Sequence, residues 1–332
     1  MSRVVPSERH IDEQYAWTSW LTAYENGLKQ VKPKCRSAGI LGDLPTATPN
    51  FRIPIPPLGS GQDTEGEDGN DWMTDDPRVY FVSGLAFKQG LRGLRFRELD
   101  LYENYVAARR MNAIAYGRSE VLWEDRKVAE CLELGFKPSV RVKEGIRELT
   151  VMDGKPVFAK DHPFDPINDP SGDKGSYTNT FDLALTPDNF LKVRDNFYSI
   201  KDEIGNQIFD DDDVKFVLVV PPFLKSDAQK VLDRERISDV QTFGSSVDNI
   251  AYKQAQLLVL PQLKDRLRWY VLVVNQTIEP VVRIGLKPMT RIEIGPNSDL
   301  WKRKQLMKWF SYERADYRIV DARLVATSRR AS

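Results

Sequence analysis

Apolar residues at helical spacing mark the first elements of the chain. Residues 15–28, YAWTSWLTAYENGL, predict a short helix ended by Gly27. Across 99–134, Leu99, Tyr102, Val106 and Ala113 fall on one stripe at gaps of three, four and seven. Gly117 predicts a break, Val121, Val128 and Leu132 resume the stripe, and Gly135 and Pro138 close it. Thr186 before Pro187 reads as a cap, with Phe190, Val193, Phe197 and Ile200 on the buried face. A further helix runs through Ala228, Val231 and Leu232.

Strand patterns lie between and after these helices. VKFVLVV, stopped by Pro221 and Pro222, reads as a buried strand, and QLLVLP and WYVLVVN follow it. ELTVMDGKPVFAKDHPFD predicts two short strands around Asp153-Gly154. In the C-terminal region, Val320, Ala322, Leu324 and Ala326 alternate with Asp321, Arg323 and Thr327, the pattern of a half-buried antiparallel strand. Strands separated by helices over 181–274 predict a mixed α/β block.

Charge changes the picture of the N-terminal third. Proline-rich segments up to residue 57 predict an extended arm. It runs into GSGQDTEGEDGNDWMTDD, residues 59–76, with seven acids and no base, the composition of a solvated linker. Residues 78–97, RVYFVSGLAFKQGLRGLRFR, then carry five bases and no acid. β-Branched and aromatic residues on both sides of Gly84, Gly90 and Gly93 predict two extended arms joined by a turn. Arms of about ten residues at ~3.3 Å each would reach ~30 Å, long for a hairpin with so little to bury at home. Residues 301–330 hold nine bases against three acids.

Composition excludes several classes. The 332 residues are 41% hydrophobic and 29% charged, as in globular proteins and unlike disordered ones. No apolar run approaches the ~20 residues that cross a bilayer, and the charged start MSRVVPSERHIDE is unlike an export signal, so no membrane role is expected. Lys+Arg and Asp+Glu are 48 each, so any nucleic-acid contact must come from local patches. Two cysteines, Cys35 and Cys131, make neither a disulfide framework nor a zinc site and suit a reducing, cytoplasmic origin.

Candidate chemistry is sparse. Neither GxxxxGK[ST], nor GxGxxG between strand and helix, nor GxSxG occurs. His10 lies in the arm, which leaves His162 as the one candidate general base, but its DHP sequence reads first as a turn shaped by Asp161 and Pro163. Asp165, Asn168, Asp169 and Asp173 miss the spacing of a calcium loop, and the acids at 210–213 read as a solvated turn. No catalytic residue, metal or cofactor is expected.

The order of elements resembles the major capsid proteins of tailed phages, with the Hong Kong 97 fold, and most closely the Mu-like major head subunit family. The resemblance is carried by YGRSEVLWEDRKVAECLELGF and by DGKPVFAKDHPFDP, which keeps Asp153, Gly154, Phe158, His162 and Pro163 of that family's D-G-x-x-F-F-x-x-x-H-P segment, with Val157 where an aromatic residue is common. It continues through YTNTFDLALTPDNFLKVRDNFYSIKDEIGNQI, VKFVLVVPPFLKSDAQKVLDRER, IEPVVRIGLKPMTRIEI and SYERADYRIVDARLVA, covering roughly residues 97–326.

The resemblance implies an α+β capsid fold. Residues 1–77 would be the N-terminal arm and 78–97 the extended loop. The segment 98–180 would supply the spine helix and peripheral-domain strands, 181–275 the axial domain, and 276–332 strands returning to the peripheral domain. It implies a non-enzymatic major head protein, assembled in a bacterial cytoplasm as hexamers and pentamers into the icosahedral shell of a virion. Its partners would be a portal, scaffold or decoration proteins, and double-stranded DNA held weakly. A nanocompartment shell of encapsulin type, a soluble α/β enzyme using Asp161, His162 and Asp165, and a tail or decoration protein are the alternatives. For the interface between subunits, the basic Lys88, Arg92, Arg95 and Arg97, with Phe87, are expected to meet acidic surface such as Asp63, Glu65, Glu67 and Asp68. Lys88 also lies where some relatives cross-link a lysine to an asparagine, and nothing identifies an asparagine partner.

Overall fold

The computed structural model describes residues 12–55, 80–142, 145–166, 168–173, 175–202, 205–209, 214–238, 246–274 and 278–330. His10, the acidic stretch with Asp63, Glu65, Glu67 and Asp68, and the 210–213 run lie outside the described residues.

The chain opens with α1 (Glu13–Lys29), capped by the Asp12 carboxylate accepting from the Tyr15 N–H. Five strands follow: β1 (Leu41–Pro45), β2 (Asn50–Ile55), β3 (Tyr80–Leu85), β4 (Phe87–Gly90) and β5 (Leu94–Arg97). A single 3-10 turn leads to α2 (Glu103–Val121) and α3 (Trp123–Leu134). Short strands come next: β6 (Ser139–Val142), β7 (Gly145–Glu148), β8 (His162–Pro163), β9 (Ser176–Tyr177) and β10 (Thr180–Phe181).

The α/β block comprises α4 (Pro187–Tyr198), β11 (Lys215–Val220), α5 (Lys225–Leu232), β12 (Arg236–Ser238), β13 (Ser246–Asp248), β14 (Gln256–Val259) and β15 (Arg268–Val274). The chain closes with β16 (Val281–Ile294), α6 (Asp299–Lys304), β17 (Leu306–Arg318) and β18 (Val325–Arg329).

These elements divide into two compact units. The first takes the described parts of Met1–Pro33, Ala86–Arg126 and Gly285–Ala315. Its core is aromatic: Trp20 stacks on Phe96 at 4.3 Å between ring centroids, and Trp309 meets Phe96 edge-on at 5.3 Å. Trp17, Trp20 and Tyr24, at gaps of three and four, are the buried stripe of α1.

Two glycines expected to end or break helices do neither. A Cβ at Gly27 would lie 2.3 Å from the Ile114 carbonyl oxygen, and one at Gly117 2.4 Å from that of Tyr24. Both sit inside helices because α1 and α2 approach backbone to backbone there. The break falls instead at Leu122 (φ −86°, ψ 7°). Leu99, expected on the helical stripe, precedes α2 and is 54% exposed.

The segment 78–97 is not a hairpin paired with itself. Its β3 part pairs antiparallel with β2, from Asn50↔Leu85 to Ile55↔Tyr80. Its β4 and β5 parts both pair with β17, at Tyr312↔Gly90 to Ala315↔Phe87 and at Leu306↔Arg97 to Trp309↔Leu94. Leu91, Arg92 and Gly93 thus face only Phe310 and Ser311, one extra residue and so a bulge. Gly90 and Gly93 serve that bulge rather than a reversal: Cβ atoms there would lie 2.2 and 2.5 Å from the Ser311 and Trp309 carbonyl oxygens.

The second unit takes the described parts of Lys34–Leu85, Lys127–Ile284 and Asp316–Ser332. Its sheet runs β10-β18-β15-β11-β14. β11 is antiparallel to β15 and parallel to β14, and Val217 to Val220 are fully buried between its faces. α4 begins as expected, with the Thr186 hydroxyl accepting from the Asn189 N–H, and its face of Phe190, Val193 and Phe197 is buried, as is Ile200 just beyond its end.

Two strand expectations are corrected here. Around Asp153-Gly154 there is a turn closed by one bridge, Thr150↔Pro156, instead of two strands, with Gly154 at φ +75°. At the C-terminus, residues 320–327 do not alternate between core and solvent. Asp321 and Arg323 are buried on each other, with Nη2 to Oδ2 at 2.9 Å, in a 3-10 turn before β18. β18 then enters the sheet of β11 and β15.

Candidate assembly surface

The β4–β5 strand is the edge of its sheet, and its outward face is basic. Along β5, Phe96 points into the aromatic core, so Arg95 and Arg97, one position either side, share the opposite, exposed face. Antiparallel register sets Arg95 directly opposite Lys308. Like charges in that position are destabilising. The bulge adds Arg92, and Arg109 from α2 completes the basic lining of an open cavity of about 820 Å³.

Asp100 is the one acid in that lining, and it is already engaged. It accepts from Arg109 Nε at 2.9 Å and from the Arg97 N–H at 2.7 Å. Among the described residues, Arg92 and Arg95 have no carboxylate within ion-pair distance. Leu99 and Tyr105, 54% and 42% exposed, give the cavity an apolar wall.

Three of the expected interface residues, Arg92, Arg95 and Arg97, therefore come together. Lys88 and Phe87 do not join them. Phe87 is buried opposite Ala315, and Lys88 lies with its Nζ 4.7 Å from the centre of the Tyr312 ring. Lys287 donates to the Tyr312 hydroxyl at 3.0 Å and draws its pKa down. Arg109 and Lys308 were not legible as partners, because they reach the site from a helix and from a strand more than 200 residues along.

The β2–β3 ribbon belongs to the second unit and pairs only with itself among the described strands. A buried cluster holds its base. Arg318 donates from Nη1 to the Ser83 carbonyl at 2.8 Å and from Nη2 to the Glu148 carbonyl. Asp316 receives Arg147 Nε at 2.6 Å and lies 3.4 Å from Arg318 Nε. Gly84 is required there, since a Cβ would come within 2.7 Å of Phe51 and 3.3 Å of the Arg318 guanidinium.

The residues singled out for catalysis have structural partners. His162 is 1% exposed, with Nδ1 2.6 Å from the Asp153 carboxylate, Nε2 3.1 Å from the Val157 carbonyl and its ring stacked on Tyr177. Both nitrogens are thus engaged inside the fold. Asp161 faces Lys155, whose hydrogen bond holds its carboxyl below the ordinary aspartate range. Asp165 accepts from Asn168, while Asp169 accepts from Ser171 and from the Asp173 N–H. No cluster of metal-ligating side chains occurs among the described residues. Cys35 and Cys131 are buried, and burial pushes the Cys131 thiol up to about 11. No described helix is long and apolar enough to cross a membrane.

Comparison with solved structures defines the fold. A structure of Mycobacterium phage Patience superposes with a TM-score of 0.51 at 11% identity, over 97% of this chain and 89% of its own. A virus-like particle from Pyrococcus furiosus gives 0.48 at 11% identity, over 94% and 99%. The SrpI encapsulin of Synechococcus elongatus gives 0.42 at 12% identity, over 99% and 91%. On the phage Patience superposition, the chain has the α+β capsid fold of the Hong Kong 97 type. No family model and no curated protein matches its sequence.

Proposed function

We propose that this chain is a shell-forming structural subunit, the major head protein of a tailed bacteriophage, working as hexamers and pentamers around double-stranded DNA. The observation that carries the reading is the extent of the fold match, 97% of the chain against the phage Patience structure, which leaves almost none of it for a separate catalytic module. The internal engagement of His162 agrees with it. Membership of the narrower Mu-like head family rests on DGKPVFAKDHP, whose side chains build a closed turn in this fold.

Under this reading the first unit is the peripheral domain, α2 and α3 are the spine, and the β11–β15 sheet with α4 and α5 is the axial domain. The extended loop is the β2–β3 ribbon with the residues between its strands, 56–79, rather than 78–97. Negative-stain microscopy of the expressed chain tests the proposal: closed shells support it, and particles no larger than a small oligomer overturn it. The contents of particles from the native source, DNA or a cargo enzyme, separate a phage head from a nanocompartment.

A further inference from the structure

We propose that the basic cavity of the first unit is a binding site for a small polyphosphate anion, a chain of linked phosphates either free or carried by a nucleotide. The inference goes beyond the shell reading and does not depend on it, because every lining residue belongs to the first unit of one chain. The lining holds five bases, Arg92, Arg95, Arg97, Arg109 and Lys308, against one acid, Asp100. Asp100 is 3% exposed, and its carboxylate is engaged by Arg109 Nε and the Arg97 N–H. Strand register holds Arg95 opposite Lys308, the bulge presents Arg92, and the buried Asp100 anchors Arg109. The charges are thus set in place by backbone pairing and a buried carboxylate. Like charges so placed repel one another, and a multivalent anion relieves them together.

The side chains point to phosphate. Four of the five bases are arginines, whose planar forks bind phosphate oxygens bidentately, where lysine offers a point charge. A lone carboxylate would cancel one of these charges, whereas linked phosphates bring several negative charges within a few ångströms. The volume, about 820 Å³, lies within the roughly 300–1,000 Å³ of small-molecule sites, so a phosphate chain leaves room for a further group. The exposed Leu99 and Tyr105 offer that group an apolar wall suited to a base or sugar.

Isothermal titration calorimetry with inorganic tripolyphosphate at physiological salt tests the site. The wild-type chain is expected to bind one tripolyphosphate per chain, and to bind orthophosphate at least tenfold more weakly. Arg92→Gln/Arg95→Gln is expected to lose at least tenfold in tripolyphosphate affinity while keeping its far-UV circular dichroism. Lys302→Gln/Arg303→Gln removes two exposed bases of α6, in the same unit but outside the cavity, and is expected to bind as wild type. Absence of saturable binding at millimolar tripolyphosphate overturns the proposal. Equal losses in the two double variants also overturn it, since net charge alone would then account for the attraction.

ATP separates the two sources of the phosphate chain. Binding at least threefold tighter than tripolyphosphate, with the gain lost in Tyr105→Ala, upholds the site and assigns it to a nucleotide. Equal affinity, unchanged in Tyr105→Ala, upholds the site and assigns it to free polyphosphate. A short DNA duplex that competes equally, phosphate for phosphate, overturns the proposal, because the surface would then attract any phosphate backbone. Wild-type chain that binds tripolyphosphate yet forms no shells upholds the site and contradicts the shell reading alone.

Discussion

The carboxylate of Asp153 and Nδ1 of His162 lie 2.6 Å apart inside the second unit, with the imidazole 1% exposed. The two residues bracket the segment DGKPVFAKDHP, whose Phe158 packs on Tyr270 at 5.8 Å and fills the space beside Gly135. The histidine that a catalytic reading would choose is thus a clasp, joining the exit of α3 to the α/β sheet.

His162→Ala removes both hydrogen bonds and leaves the Asp153 carboxylate without its imidazole. It should destabilise the subunit by about 2–4 kcal/mol, through the lost charge-assisted bond and the cavity left against Tyr177. Denaturant unfolding measures this. Asp153→Asn, which keeps an acceptor near the ring, should cost less, about 1–2 kcal/mol.

Gly27 and Gly117 fix how closely α1 and α2 pack. Gly117→Ala places a methyl 2.4 Å from the Tyr24 carbonyl oxygen, so the helices must separate. The helix-propensity gain of about 1 kcal/mol is outweighed by overpacking of about 1–3 kcal/mol or more. A net loss in melting temperature is expected, with Gly27→Ala behaving alike. A rise in either would contradict the backbone contact.

Asp316 lies between Arg147 and Arg318, all three buried. Burial raises the Asp316 pKa against the pull of both arginines. Asp316→Ala leaves two guanidinium groups without their shared carboxylate and should cost about 3–5 kcal/mol. Because Arg318 also holds the Ser83 carbonyl, amide exchange should rise first at the base of the β2–β3 ribbon.

Acid should weaken the surface clasps of the second unit. Burial works against the charged form of Asp43, but Arg36 at 2.7 Å and Arg283 at 3.3 Å outweigh it and hold its pKa below the ordinary value. For Asp265, burial is likewise overcome by the Leu267 N–H, Arg329 and Arg268. A carboxyl depressed in the folded state contributes stability that is present above its unfolded pKa of about 4 and lost as pH falls through the folded value. Both groups are partly exposed, so each should contribute no more than about 1 kcal/mol. The melting temperature should fall from pH 5 to pH 3, and Asp43→Asn/Asp265→Asn should show a smaller fall from a lower starting point.

Much of the fold was legible where local chemistry decides it. The cap and buried face of α4, the strand β11 ended by Pro221 and the helical character of α1 all follow from neighbours in sequence. What misled were positions whose partners lie far along the chain. Gly27, Gly117, Gly90 and Gly93 carry the marks of stops and turns, yet each is set by a backbone from another element. The basic run 78–97 showed three of the cavity residues, whereas Lys308 was hidden because pairing with β17 brings it in, and Arg109 because it reaches the cavity from α2. Asp321 and Arg323 fit an alternating strand until their mutual burial removed both from solvent.

The measurement that tests the central claim most directly is the mass of the wild-type chain in solution by multi-angle light scattering. Shell formation predicts particles of megadalton mass, built from 38.1 kDa subunits, in equilibrium with little else near neutral pH. A species that stays at one or a few subunits across the accessible concentration and salt range would contradict it.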